Sequence, residues 1–253
     1  ALPQGTTPTR YQSGVFLESG ELVEPSLLRR ASGVLIGGSS PAAPADFVGG
    51  EAIFGGYVFT HFGHFILETC SRLWFTKRRP DIPLVFAIMS HLRPYQIEIF
   101  DEILSLKNKR ILITRPTFFE TLYVPDPGLE IGLHCTQTYT DFMATIDYNE
   151  SAADWTWLSK SKVGNETGYV KEEGLLEHRL AENHWKIVHL QEHGVSQQIR
   201  MLANSSRVAG FSGSTFHNLV FIKNHKGRIT IVRRGEQNTV DYENIARAAH
   251  LNQ

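Results

Sequence analysis

Two histidines and a glutamate in the first third of the chain have the residue types and the spacing for acid–base chemistry. They lie in the segment His61–Glu68, where His61, His64 and Glu68 stand at positions i, i+3 and i+7. In a helix this spacing places them on one face, which Arg72 continues. A histidine beside a carboxylate can take a proton from an attacking hydroxyl near neutral pH. One interpretation of this face is therefore a general base.

Two other interpretations fit the same spacing. Histidine and glutamate are zinc ligands, although the spacing is not H-E-x-x-H and no remote third ligand stands out. The polar residues also fit a solvated face on which Glu68 pairs with Arg72 at i, i+4. From these residues alone, the three interpretations stay open.

A glycine turn near the carboxyl end of the chain has the composition of a phosphate site. Residues 210–214, Gly-Phe-Ser-Gly-Ser, separate an apolar run from Thr215 and a second apolar run. Glycine lets a ligand approach the backbone closely, and the free N–H groups of a first helical turn bind anions. The hydroxyls of Ser212, Ser214 and Thr215 can add donors to a diphosphate.

This turn also has a structural and a hydrolytic interpretation. A strand–helix turn with serine as the N-cap has the same local sequence. A nucleophile elbow with Ser212 as nucleophile requires G-x-S-x-G, and the fifth position here is Ser214. The acid and the histidine of a hydrolase do not follow in an obvious order.

Two lysines follow a predicted strand in the run Ser159-Lys160-Ser161-Lys162. Lysines at the carboxyl end of a parallel strand can offset the charge of a diphosphate leaving group. The alternative is an ordinary surface loop.

Strand and helix patterns alternate along most of the chain, which indicates an α/β fold with parallel sheets. The predicted strands are residues 34–36, 52–59, 84–88, 110–114, 155–158, 186–190, 207–211 and 228–232. The predicted helices are residues 61–79, 95–106, 172–183, 196–204, 215–222 and 240–250. Residues 115–153 show no strong periodicity. We therefore predict an N-terminal domain with its linker over residues 1–150 and a C-terminal domain over residues 151–253, with a ligand cleft between them.

The composition excludes several classes of protein. The chain is 42% hydrophobic and carries 25 basic and 26 acidic residues, so no basic field exists to hold nucleic acid. Its two cysteines cannot form a disulfide framework. No apolar run reaches the roughly 20 residues that span a bilayer.

Four segments in their order along the chain resemble glycosyltransferase family 61, over residues 50 to 235. This family includes bacterial capsular polysaccharide enzymes and plant and animal xylosyl- and N-acetylglucosaminyltransferases. The segment after Gly55-Gly56-Tyr57, His61–Glu68, is similar to the family's "GHF-x-x-E". Leu158-Ser159-Lys160 is similar to the family's Ile-Ser-Arg, and Ser196-Gln197-Gln198-Ile199 is similar to its "E-Q-I". The last segment, Gly210–Asn218, is similar to its "G-P-H-G-A-x-L-T-N".

Three positions depart from the family pattern. Lys160 stands for arginine, which removes bidentate phosphate binding. Gln197 occupies the position of the family's glutamate, and Ser212 occupies the position of the histidine in the family's glycine turn. His217 is nearby in a different register. Phosphate contact through the backbone is compatible with all three departures.

The resemblance implies two Rossmann-like halves of the GT-B type facing a central cleft. It also implies an inverting, metal-independent transfer of a hexose or pentose from a nucleotide-diphosphate donor to a glycan or glycoconjugate hydroxyl. The donor expected is UDP-linked, and no cofactor is needed. Because the sequence contains no apolar run long enough to span a membrane, we expect a cytoplasmic enzyme peripheral to the membrane, or a lumenal domain of a secretory-pathway enzyme.

On this scheme the N-terminal domain presents the acceptor and the C-terminal domain holds the donor. His64 is the expected general base, Glu68 orients it or raises its basicity, and His61 is the second choice. The expected donor-binding residues are Ser159, Lys160, Lys162, Gln198, Ser212, Gly213, Ser214, Thr215 and Asn218. The departures from the family pattern favour one alternative from another class, a non-catalytic domain that binds nucleotide sugars or glycans.

Overall fold

The computed structural model describes residues 11–38, 43–89, 91–164, 168–235 and 240–253. The chain forms two compact units. Unit 1 comprises Ala1–Gln96 and Ser105–Tyr139, and unit 2 comprises Ile97–Leu104 and Thr140–Gln253. The domain division after residue 150 stays a prediction. No helix among the described residues is long and apolar enough to cross a membrane.

Unit 1 is built on a four-stranded parallel sheet. A small sheet precedes it, in which β3 (Gly33–Gly37) lies between β1 (Tyr11–Gln12) and β2 (Leu28–Arg30). The main sheet has the order β6-β5-β4-β7, formed by β4 (Asp46–Tyr57), β5 (Leu84–Ala87), β6 (Arg110–Ile113) and β7 (Thr117–Tyr123). A short antiparallel pair follows, β8 (Leu129–Glu130) and β9 (His134–Cys135).

The centre of this sheet matches the predicted apolar runs. Leu84, Val85 and Phe86 are fully buried, as expected of a strand covered on both faces. The Gly55-Gly56 pair lies inside β4 and forms an irregularity in its register with β5. A Cβ atom on Gly55 would lie 2.6 Å from the Phe86 ring, and Gly56 has a φ of +100°, so both positions need glycine.

The edge strand β7 was missing from the sequence prediction. It pairs in parallel with β4 on the side opposite β5. Its residues are partly buried or exposed and none is fully buried, so it lacks the continuous apolar run that identified β5 and β6. The stretch read as a linker therefore supplies part of the sheet.

The helix predicted over residues 61–79 is two segments. An α-helix, α1 (Phe62–Leu67), is followed by a 3₁₀-helix, Thr69–Lys77. The Ser71 and Thr76 hydroxyls donate to carbonyl oxygens three residues earlier, at 2.8 Å and 2.6 Å. Such bonds compete with the α-helical pattern, which explains the change of helix type.

The remaining helices near the change of unit are short. They are α2 (Pro94–Glu98), which continues as a π-helical turn (Ile99–Ile103), and α3 (Gln137–Met143).

Unit 2 also contains a four-stranded parallel sheet. Its strands are β11 (Asp154–Leu158), β12 (Lys186–Val188), β13 (Ser205–Phe211) and β15 (Arg228–Val232), in the order β12-β11-β13-β15. A separate parallel pair consists of β10 (Ile146–Asp147) and β14 (Ile222–Lys223). The α/β class with parallel sheets is thus confirmed, and the GT-B arrangement stays a prediction.

The connections of this sheet create a topological switch point. From β11 the chain continues to β12 on one side, and then returns to β13 and β15 on the other side. The connecting helices are α4 (Glu173–Glu182), α5 (Val195–Ala203) and a 3₁₀-helix (Ser214–Phe221), and α6 (Val240–Ala248) follows β15. A 3₁₀ turn, Leu190–Glu192, lies between β12 and α5, and another, Glu24–Ser26, precedes β2 in unit 1. Ligands of open α/β sheets bind outside the carboxyl ends of the strands at such a point. In unit 2 this point lies between β11 and β13.

Gly210 sets the approach of these two strands. A Cβ atom there would lie 2.8 Å from the Leu158 carbonyl oxygen and 3.0 Å from the Leu158 Cβ atom. Both atoms belong to a buried strand that cannot move aside freely.

We expect Gly210→Ala to lower the free energy of unfolding by about 1–3 kcal/mol, because overpacking forces β11 and β13 apart. The control is Gly174→Ala in α4, where a new Cβ atom meets nothing within 4 Å. Alanine there should leave stability unchanged or raise it by up to about 1 kcal/mol. Urea unfolding of the two variants measures both effects, and equal stabilities would contradict the strand contact.

Candidate functional site

Three adjacent strands of unit 2 are each followed, two residues later, by a residue of the candidate site. Lys160 follows the end of β11, Gly213 follows the end of β13, and Arg234 follows the end of β15, each two residues beyond its strand. The registers of Leu158 with Gly210 and of Phe211 with Val232 keep these ends level. The switch point of the sheet therefore carries two cations and a glycine.

The Lys160 ammonium lies against the backbone of Gly213. A Cβ atom on Gly213 would stand 2.3 Å from Lys160 Nζ and 2.8 Å from its Cε atom. Lys160 is only 7% exposed. Burial lowers the pKa of Lys160, the nearby charge of Arg234 lowers it further, and Glu173 opposes both effects. The glycine thus leaves room for a buried ammonium at the turn.

Glu173 at the start of α4 fixes the backbone of Lys160. Its two buried carboxylate oxygens accept from the Lys160 N–H at 3.0 Å and from Trp157 Nε1 at 2.9 Å. The Ser159 hydroxyl accepts from the Ser161 N–H at 3.0 Å and contacts the Glu177 carboxylate. These bonds close the turn after β11 and hold the lysine at the sheet edge.

Arg234 is a site residue that the sequence prediction missed. Its Nε atom donates to the Ser212 carbonyl and its Nη1 atom donates to the Gly168 carbonyl, both at 2.8 Å. No local motif identifies this arginine, since it stands in a polar loop beside the exposed Arg233. Only the pairing of β15 with β13 brings it to the glycine turn.

The two cations lie close to each other in this site. Within the described parts of the chain, neither Lys160 nor Arg234 forms an ion pair, and each lies close enough to affect the other electrostatically. Two like charges that lie close together favour a bound anion, even with the Glu173 carboxylate nearby. The arrangement suits a ligand with at least two negative charges.

The N-terminus of the following 3₁₀-helix adds uncapped donors. Gly213 is its N-cap residue and offers no side chain to cap it. By contrast, Glu98 accepts from the Val195 and Ser196 N–H groups at 3.1 Å and 2.8 Å, so α5 receives a carboxylate from the protein itself. The first N–H groups of the Ser214 helix therefore remain suited to an anionic ligand.

The residues of the glycine turn differ in accessibility. Gly213, Ser214 and Thr215 are partly exposed, whereas Ser212 is 2% exposed and its N–H donates to the Val232 carbonyl at 2.8 Å. The expected cradle of Gly213, Ser214 and Thr215 is accessible to a ligand. A buried serine held in sheet-like hydrogen bonds does not suit a hydrolytic nucleophile, which must reach its substrate.

Three other expected donor residues have partners within the protein. Asn218 is fully buried and donates to the Gln198 side chain at 2.8 Å, and Gln198 donates to the His193 carbonyl at 2.9 Å. These bonds tie the 3₁₀-helix to α5. Lys162 pairs with Glu192 at 2.9 Å on the surface, and Gln197, the departure from the family's glutamate, is exposed.

In unit 1, His64 and Glu68 form a hydrogen-bonded pair. His64 Nδ1 lies 2.9 Å from Glu68 Oε2, and the Glu68 side chain is 1% exposed while that of His64 is 36% exposed. Arg30 donates from Nε to Glu68 Oε1 at 2.7 Å and from Nη2 to Oε2 at 2.8 Å. A buried carboxylate thus orients an accessible imidazole.

The solvated-face interpretation of this segment is wrong. Arg72 is fully buried, and it donates to the Pro25 and Leu27 carbonyls at 2.6 Å and 3.0 Å rather than to Glu68. Burial lowers the pKa of Arg72 to about 10. The carboxylate finds its cation in Arg30 on β2, which no helical spacing could indicate.

His61 precedes α1 and lies beside His64, with their ring centroids 5.0 Å apart. Burial lowers the pKa of His61, and the charge of His64 adds to this effect. Among the described residues, no three or more histidine, cysteine, aspartate or glutamate side chains group as metal ligands. Both Glu68 oxygens already accept from the Arg30 guanidinium, which occupies the place that a metal ion would need.

The family model described as Glycosyltransferase 61 matches residues 62–230, more than half of the chain. The match includes His64 and Glu68 in unit 1 and Lys160 and the glycine turn in unit 2. It begins after Arg30 and ends before Arg234. No curated protein sequence matches the chain.

We expect Gly213→Ala to weaken the binding of inorganic pyrophosphate by roughly tenfold, about 1.4 kcal/mol. Its backbone is extended, which any residue adopts, so the effect comes from displacing the flexible Lys160 ammonium. Stability should change by less than about 1 kcal/mol. Calorimetry measures the affinity, with Gly164→Ala as the control because its Cβ atom meets nothing within 4 Å. Equal affinities of the two variants would contradict a lysine site at the turn.

Proposed function

We propose a function from one premise, which is that the chain belongs to glycosyltransferase family 61. In this proposal the protein transfers a sugar from a nucleotide-diphosphate donor to a hydroxyl of a glycan or glycoconjugate. The proposed reaction inverts the anomeric carbon and uses no metal ion. The observation that carries the proposal is the pair of cations, Lys160 and Arg234, beside the accessible backbone of Gly213.

The chemistry of the leaving group explains why these cations would matter. In the proposed transfer the bond between the anomeric carbon and the β-phosphate oxygen breaks, and the nucleotide diphosphate leaves with the electron pair. Negative charge grows on the phosphate oxygens during this step. Fixed cations and backbone N–H groups in a site of low polarity stabilise such charge without reorganising. Lys160, Arg234 and the first N–H groups after Gly213 would supply this stabilisation in place of a metal.

The acceptor hydroxyl must lose a proton as it attacks. We assign this proton to His64, whose Nδ1 atom faces Glu68 and leaves Nε2 as the remaining ring nitrogen. The new bond joins the acceptor oxygen to the anomeric carbon, and the proton passes to His64 Nε2. A positioned base of this kind contributes roughly 10²- to 10⁴-fold to a rate.

The donor side of the proposal is completed by residues in supporting positions. Ser214 and Thr215 would contact the diphosphate directly, while Ser159, Gln198, Ser212 and Asn218 would hold the turns that present it. We propose a UDP-linked sugar as the donor. Lys162 would contribute only after releasing Glu192.

Substitution of either cation should weaken nucleotide binding. We expect Lys160→Met and Arg234→Met each to raise the Kd for UDP by roughly 10- to 100-fold, the effect of one charged hydrogen bond. The matched control is Arg233→Met, since Arg233 is the exposed neighbour of Arg234. Calorimetry with UDP measures all three. If Arg233→Met weakened binding as much as Arg234→Met, a general surface charge rather than this site would bind the nucleotide.

Substitution of the proposed base should affect turnover and not donor binding. We expect His64→Gln to lower kcat by roughly 10²- to 10⁴-fold with an unchanged Kd for UDP. The control is His178→Gln, which removes the exposed i, i+4 pair of His178 with Glu182 at 3.4 Å. A nucleotide-release assay with a panel of glycan acceptors gives kcat. Full activity of a folded His64→Gln enzyme would remove His64 from the mechanism.

The same assay separates catalysis from binding alone. The presence of Ser212 where the family has histidine favours a binding domain as the second candidate function. Tight binding of UDP-sugars without release of UDP across a broad acceptor panel would support that candidate and reject the transferase.

A further inference from the structure

We infer that Arg30 is a positioning residue that completes the His64 site from outside the family-matched region. The inference rests on the proposed role of His64 as a base. Arg30 lies in β2, whereas the family match begins at residue 62. Its function would be to hold the Glu68 carboxylate charged and in place, so that His64 keeps one orientation and one tautomer.

The contacts of Arg30 converge on the pair rather than on solvent. Its Nε and Nη2 atoms donate to the two Glu68 oxygens at 2.7 Å and 2.8 Å, and Nη2 also lies 3.3 Å from His64 Nδ1. The Arg30 side chain is 24% exposed and that of Glu68 is 1% exposed. This is the planar, bidentate geometry in which arginine binds a carboxylate most strongly.

The strand that carries Arg30 is itself fixed by buried bonds. Arg72 donates to the carbonyls of Pro25 and Leu27, and the Tyr57 hydroxyl donates to the Ser26 carbonyl at 3.1 Å. After the strand, the Ala31 N–H donates to the Ile131 carbonyl at 2.9 Å. Arg30 therefore approaches Glu68 from an anchored backbone.

This geometry selects one tautomer of His64. An ionised carboxylate only accepts hydrogen bonds, so the 2.9 Å contact of Glu68 with Nδ1 requires a proton on Nδ1. With this tautomer, the 3.3 Å contact between Arg30 Nη2 and Nδ1 joins two donors and is not a hydrogen bond. In the neutral ring Nε2 then carries a lone pair, which is the state that a general base needs.

Arg30 also sets the charge around His64. The charged or titratable groups that face the imidazole within the described structure are Glu68, Arg30 and His61. With Arg30 present, the charge of the buried carboxylate is balanced. Without Arg30, the unbalanced carboxylate would favour protonated His64, and the base would be blocked at neutral pH.

The test replaces Arg30 with methionine and uses its neighbour as the matched control. Arg29 lies in the same strand and pairs only at 3.5 Å with the exposed Glu24. We expect Arg30→Met to lower kcat by roughly tenfold or more, the usual effect of removing such an outer partner, with an unchanged KM for the nucleotide sugar. The acid limb of the kcat–pH profile should move to higher pH. Arg29→Met should match the wild type in all three.

Arg30→Lys separates charge from geometry. Lysine keeps the positive charge and loses the bidentate bond, so the pH limb should stay near that of the wild type while kcat falls. If Arg30→Met fails to fold, this variant carries the test. A kcat and a pH profile of Arg30→Lys equal to those of the wild type would overturn the inference.

A measurement without turnover keeps this inference distinct from the proposed function. Ring ¹⁵N NMR, assigned with His64→Gln, should show His64 protonated on Nδ1 in the wild type and in Arg29→Met. In Arg30→Met the same signal should report a mixed or doubly protonated ring at the same pH. An unchanged signal in a folded Arg30→Met protein overturns the inference. The NMR measurement does not need transferase activity, so it tests Arg30 even if an inactive wild-type protein has ruled out the proposed function.

Discussion

The buried ammonium of Lys160 against the backbone of Gly213 is the contact on which the organisation of unit 2 depends. A cation at 7% exposure that forms no ion pair with the described residues is costly, and the fold accepts this cost at the switch point of the sheet. Gly213 gives the ammonium its space, Gly210 lets β11 and β13 approach, and Glu173 fixes the lysine backbone. Gly213 and Glu173 are explained by the position of the Lys160 charge, and Gly210 by the close approach of Leu158.

The two units differ in whether the charged side chains of their candidate sites form ion pairs. In unit 1 the buried Glu68 carboxylate receives the Arg30 guanidinium, so the charge beside His64 is balanced. In unit 2 Lys160 and Arg234 lie close together, and neither forms an ion pair with a described residue. A carboxylate balanced by a guanidinium suits a neutral base, and two neighbouring cations suit an anionic ligand. These are the two demands that a transfer from a diphosphate donor to a hydroxyl would make.

The helix types show how local side chains modify a correct pattern. The apolar spacing after His61 indicated a helix, and the chain is helical there, but Ser71 and Thr76 convert most of it to a 3₁₀-helix. Arg72, predicted on the polar face, lies in the core. Periodicity does not register such hydroxyl-to-carbonyl bonds.

The sequence by itself determined the alternation of strands and helices, the strands Leu84–Ala87 and Arg110–Ile113, the glycine turn and the pairing of His64 with Glu68. All of these depend on residues close together in the chain, where spacing and side-chain type are sufficient. Only the tertiary structure decided that β7 joins the sheet, that Arg30 reaches Glu68 across 38 positions, and that Arg234 reaches the glycine turn through the pairing of β15 with β13. Arginine in a polar loop or a short strand looks the same in sequence whether it is solvated or paired. Its role is fixed by which strand ends lie side by side, and strand order is a property of the whole sheet.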